Sequence, residues 1–153
     1  MKKYILFLIL AVTVGIAYWL ISPLFITRTV NEQITDIKTA DMASDQYEIV
    51  SSGIFSGLAG HSAEGAVRLL KAGTEYYIRM DENFRVTNGP DLFVYLGKNN
   101  QYDPNARLDA LKGNIGSQNY VIPLSINVSD YDEVWVWCRA FGVAFGKAVL
   151  NKQ

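Results

Sequence analysis

The chain has one cysteine and one histidine among its 153 residues. A lone cysteine excludes an internal disulfide framework, and one of each falls short of the Cys/His set that a structural zinc site requires. The spacing C-x-x-C-H does not occur, so covalent c-type haem is excluded as well. Neither charge sign dominates: 14 Lys and Arg stand against 15 Asp and Glu, a formal net charge of -1. No basic cluster is interleaved with stacking aromatics, which argues against a nucleic-acid partner. Asp81, Glu82, Asp103, Asp109, Asp130 and Asp132 do not form a calcium-loop ladder, and no Gly-x-Ser-x-Gly elbow occurs. No metal site follows from these residues.

What is present begins with an apolar run. From Tyr4 to Thr27, "YILFLILAVTVGIAYWLISPLFIT", there is no charged residue. About 20 apolar residues cross a bilayer core, and Lys2 and Lys3 ahead of the run favour a cytoplasmic N-terminus. The pattern predicts a signal anchor over residues 1–27. The chain is then single-pass at a cell membrane, with the bilayer as a partner and the C-terminal domain on the extracytoplasmic side. Cleavage after Gly15-Ile16-Ala17 is the rival reading; it would leave the apolar "YWLISPLFI" as a new N-terminus, which disfavours it. Residues 28–46 read as a polar tether and residues 47–153 as one domain.

From Tyr47 onward, short β-branched and aromatic runs alternate with Gly, Asn, Asp and Pro, as in an all-β chain. "GAVRLLK" and "TEYYIRM" flank a short glycine-containing hairpin loop at Lys71-Ala72-Gly73. "EIVSSGIFSG" is interrupted at Gly53. "NFRVT" and "LFVYLG" flank the turn "NGPD", and a loop rich in Asn, Asp and Gly precedes "NYVIP". "EVWVWCRA" and "VAFGKAVL" follow. The expected fold is an antiparallel β-sandwich of about eight or nine short strands, preceded by one transmembrane helix.

Four blocks carry a resemblance to a known family: "GIFSGLAGHSAEGAVRLL", "FRVTNGPDLFVYLG", "LKGNIGSQNYVIP" and "VWVWCRAFGVAFGKAVL". Together they resemble the electron-transfer DM-thirteen domain, which is often found beside DOMON-type domains, over about Gly53 to Leu150. The resemblance implies redox chemistry at or near the cell surface. It also implies that the family's characteristic cysteine is Cys138, as a bare thiol or as a ligand to a prosthetic group such as haem. A redox partner protein is implied, rather than a complete enzyme.

Strand geometry places Val134, Val136 and Cys138 on one face and Trp135, Trp137 and Arg139 on the other. Cys138 on a valine face reads as a buried core residue. A redox thiol, a haem ligand and an intermolecular disulfide are the other readings. Thiolate chemistry needs a positive neighbourhood, and Arg139 lies across the strand. His61, in "LAGHSAEG", is either a second haem ligand or a hydrogen-bonding loop residue. Asp91 reads as a turn cap or a rim contact, and Gln118 and Tyr120 as hydrogen-bonding residues or pocket lining. Trp135, Trp137, Phe141 and Phe145 are expected to fill the space between sheets. The competing function is a binding module for carbohydrate or an envelope protein, with Cys138 structural.

Overall fold

The computed structural model describes residues 2–22, 25–37 and 47–152. The chain opens with α1 (Lys2–Ile21), and twelve strands follow among the described residues: β1 (Glu48–Ile54), β2 (Ser56–Gly57), β3 (Ala63–Glu64), β4 (Ala66–Ala72), β5 (Glu75–Met80), β6 (Arg85–Val86), β7 (Leu92–Lys98), β8 (Gln101–Ala110), β9 (Gln118–Ile122), β10 (Glu133–Cys138), β11 (Val143–Val149) and β12 (Asn151–Lys152). Two five-stranded sheets, in the orders β12-β1-β4-β5-β9 and β2-β11-β10-β7-β8, enclose the core, and β3 pairs with β6 beside them.

The count of eight or nine strands is corrected to twelve. β2, β3, β6 and β12 have two residues each, too few to show an alternation. "EIVSSGIFSG", read as one interrupted strand, crosses between sheets: β1 pairs with β4 and β2 with β11. The stretch read as loop after "LFVYLG" contains the ten-residue β8. It is an edge strand, and Pro104 is tolerated because it falls between the paired residues Tyr102 and Arg107, where the register shifts. Asn99 and Asn100, both at positive φ, make the two-residue turn into it.

The transmembrane expectation is also corrected. Among the described residues no helix is long and apolar enough to cross a membrane. Lys2 and Lys3 occupy the first turn of α1, which ends at Ile21. Its uncharged part spans about 27 Å at ~1.5 Å per residue, at the short end of what a hydrocarbon core of roughly 30 Å requires. A single-pass anchor, and the cell-membrane and extracytoplasmic placement drawn from it, therefore do not stand.

The core lies between the sheets. β4 directs Val67 and Leu69 inward, β7 Leu92, Val94 and Leu96, and β10 Val134, Val136 and Cys138. A smaller cluster of Leu70, Ala72 and Tyr77 sits on the outer face of the first sheet, covered by Ile34, Ile37 and Ile49. Residues 28–37 of the polar stretch thus lie against the domain. Residues 38–46 fall outside the described part.

Candidate functional site

β10 is the strand on which the candidate chemistry converges, and its alternation decides where each side chain goes. Cys138 is 0 % exposed. Its cross-strand neighbours are Leu92 on β7 and Val143 on β11, and its thiol is free. Thiol–disulfide exchange requires a second sulfur to touch the first, and this position denies that contact.

One residue further on, the chain emerges. The Arg139 N–H donates to the Asp91 carbonyl at 3.0 Å. Its guanidinium donates to both carboxylate oxygens of Asp91, Nε at 3.1 Å and Nη2 at 3.2 Å. The same guanidinium lies 4.0 Å from the Phe93 ring centroid. Its hydrogen bonds to Asp91, which favour the charged guanidinium, push Arg139 above its ordinary range. Asp91 and Arg139 therefore form one unit that ties the "NGPD" turn to the end of β10, on the face away from Cys138.

That outer face carries an aromatic array. Trp137 stacks on Tyr102 at 4.1 Å, and Tyr102 meets Tyr95 edge-on at 5.2 Å. Burial raises the Tyr95 phenol above its ordinary range, while Arg107 and Arg139 pull it back. Trp135 lies over Gly97, where an added Cβ would come within 2.4 Å of the indole nitrogen. Its indole N–H donates to Glu133 at 2.9 Å. Glu133 also accepts from the Asn100 N–H at 3.0 Å and pairs with Lys147 at 3.3 Å. The expectation that these aromatics fill the inter-sheet space holds only for Phe145, which lies in the core cluster. Trp135 and Trp137 are on the outer face because they alternate with Val134, Val136 and Cys138, and Phe141 is exposed.

The remaining candidates lie elsewhere. His61 follows β2 and stacks flat on Phe145, with centroids 3.6 Å apart and planes 9° apart. Gln118 is fully buried. Its amide donates to the Gly113 carbonyl at 2.8 Å, and its oxygen accepts from the Gly113 N–H at 3.1 Å and the Tyr120 hydroxyl at 2.7 Å. The Tyr120 oxygen accepts in turn from the Lys112 N–H at 3.0 Å. Burial pushes Tyr120 well above the usual phenol range. Gln118 and Tyr120 together brace the loop between β8 and β9.

A cleft of about 460 Å³ opens between that loop, the "NGPD" turn and residues 26–28. Leu92 lines it; its cross-strand neighbour Cys138 does not. A haem held by Cys138 needs open space at the sulfur, and Cys138 is enclosed by core side chains. The residues present do not fit that group. Among the described residues no three His, Cys, Asp or Glu side chains converge as a metal site.

The sequence signals the Trp137–Tyr102–Tyr95 array only in part: Phe-x-Tyr at 93 and 95 and Trp-x-Trp at 135 and 137 place those rings on one shared outer face. Tyr102 carries no such signal, because Asn99, Asn100, Asp103, Pro104 and Asn105 give its surroundings the composition of a loop.

No curated protein and no solved structure matches the chain. The family model described as "Electron transfer DM13" matches residues 55–150, which takes in β10, the Asp91–Arg139 unit, the aromatic array and the braced loop. With well over half its length matched, the chain belongs to the DM13 electron-transfer family.

Proposed function

We propose that this domain relays single electrons through the outer aromatic face of its second sheet, serving a partner protein, with Cys138 as a core side chain. The observation that carries the reading is the contact series Trp137–Tyr102–Tyr95, with centroid separations of 4.1 and 5.2 Å. Trp137 and Tyr102 are partly exposed and Tyr95 is buried beneath them. Indole and phenol side chains are redox-competent only toward strong one-electron oxidants, so the relay donates electrons to such an oxidant on a partner.

The oxidant removes one electron from the Trp137 indole, whose ring N–H proton then leaves to solvent. Tyr102 returns an electron and its phenolic proton to the indole, which becomes neutral tryptophan again. The phenoxyl left on Tyr102 is reduced by a hydroquinone- or ascorbate-type donor that supplies one electron and one proton. Overall, one electron passes from donor to oxidant and one proton to solvent.

A thiol-centred mechanism is disfavoured by the complete burial of Cys138. A sugar-stacking platform is disfavoured because Tyr102 covers a face of the Trp137 ring. The test is flash oxidation of the purified chain by a photogenerated ruthenium(III) polypyridyl complex. The wild type and Cys138→Ala are expected to be oxidised at the same rate, and Trp137→Phe more slowly. An unchanged rate in Trp137→Phe rejects the relay.

A further inference from the structure

Residues 28–33 run extended beside the loop between β8 and β9, and the contact has the form of an added strand. The Val30 N–H donates to the Ile115 carbonyl at 2.9 Å and the Glu32 N–H to the Ser117 carbonyl at 3.0 Å. In return the Asn114 N–H donates to the Arg28 carbonyl at 2.8 Å. Thr29 and Ile115 form a parallel bridge. Such a ladder supplies affinity without reading sequence; selectivity comes from the side-chain positions.

Two positions do the reading. At Val30 the groove is glycine-lined: a Cβ on Gly113 would sit 2.7 Å from the Val30 side chain, and one on Gly116 2.1 Å from its carbonyl oxygen. At Glu32 the carboxylate accepts from Lys112 Nζ at 2.7 and 3.0 Å and from the Asn119 N–H at 2.7 Å. Lys112 is aimed there by the Asn119 carbonyl at 2.8 Å. The Glu32 carbonyl accepts from Ser117 Oγ at 2.8 Å and from Arg79 Nη1 at 3.2 Å. Charge-assisted bonds from an ammonium and a backbone N–H to one carboxylate are the strong kind.

The groove lies within the matched stretch 55–150, whereas the segment filling it lies outside. We propose that the β8–β9 loop is a docking site for an extended peptide of the pattern Val-x-Glu, and that residues 28–33 are a displaceable plug in that site. A partner segment of the same chemistry takes the place of the plug, adds a strand along residues 113–117 and delivers its glutamate to Lys112 and Asn119.

The test uses the full chain carrying Glu32→Ala, which weakens the plug, and a labelled synthetic peptide of residues 27–34. Saturable binding is expected, roughly tenfold tighter than to the wild type, where the intact plug competes. The same peptide with its glutamate replaced by alanine is expected not to bind. Failure of the native peptide to bind a folded Glu32→Ala chain overturns the proposal, as does equal binding of the alanine peptide. If Glu32→Ala does not fold, the wild type answers the question by amide hydrogen exchange. Excess peptide is expected to speed exchange at Val30 and Glu32 as the plug is released, and unchanged exchange there rejects the site.

Discussion

The Trp137 indole and the Tyr102 ring stack 4.1 Å apart on the face of β10 opposite Cys138. One strand thus separates a sealed sulfur from a pair of oxidisable rings at the surface. A single residue of register decides which group a partner can meet, because successive side chains point to opposite faces.

Burial of Cys138 sets the first expectation. In the native chain the thiol is expected to be inert to an aromatic disulfide reagent, and to titrate fully once the chain is unfolded in guanidinium. Cys138→Ala is expected to cost about 1–2 kcal/mol in a urea melt, a small core truncation. Cys138→Ser is expected to cost more, about 2–3 kcal/mol, because its hydroxyl is buried among apolar neighbours. Rapid reaction of the native thiol contradicts the packing described.

Gly97 is the floor beneath Trp135. A methyl group there meets the indole nitrogen at 2.4 Å, and the carbonyl of Gln101 also stands 2.4 Å away, so the strand has little room to yield. Gly97→Ala is expected to destabilise by about 1–3 kcal/mol, the usual range for overpacking. Displacing the indole from Glu133 also shifts the tryptophan emission. A neutral melt with unchanged fluorescence contradicts the close approach.

Tyr77 gives a pH dependence with a definite sign. Burial, with help from the hydrogen bond to Glu75, pushes its phenol up to about 12. In the unfolded chain a tyrosine titrates near 10, so above that pH the unfolded state loses its proton first. Stability is therefore full below about pH 10 and falls as pH rises toward 12. Tyr120, raised in the same direction, adds to the slope. Denaturant melts are expected to show a shallower alkaline decline in Tyr77→Phe than in the wild type. An equal slope contradicts the assignment.

The parts of this architecture legible in the sequence are those with a local period. Val134, Val136 and Cys138 alternate with Trp135 and Trp137, and Gly73, at φ 62°, turns the chain from β4 into β5. The illegible parts lack a period or depend on distant partners. β8 carries Asp103, Pro104, Asn105 and Asp109, residues that disfavour strands, and only its edge position makes them tolerable. Glu32 looked like one polar residue among many, because its partners Lys112 and Asn119 lie 80 and 87 positions away. The end of α1 at Ile21 was equally hidden, since "SPLFIT" continues the uncharged run in the sequence.

The most direct measurement is the lifetime of the tryptophanyl radical after flash oxidation, followed by transient absorption in the wild type, Cys138→Ala and Tyr102→Phe. The account predicts that a tyrosyl signal replaces the tryptophanyl signal in the first two. In Tyr102→Phe the tryptophanyl radical should persist at least ~10-fold longer, the factor that about 1.4 kcal/mol of barrier represents. A tryptophanyl lifetime unaffected by Tyr102→Phe, or a radical yield abolished in Cys138→Ala, contradicts it.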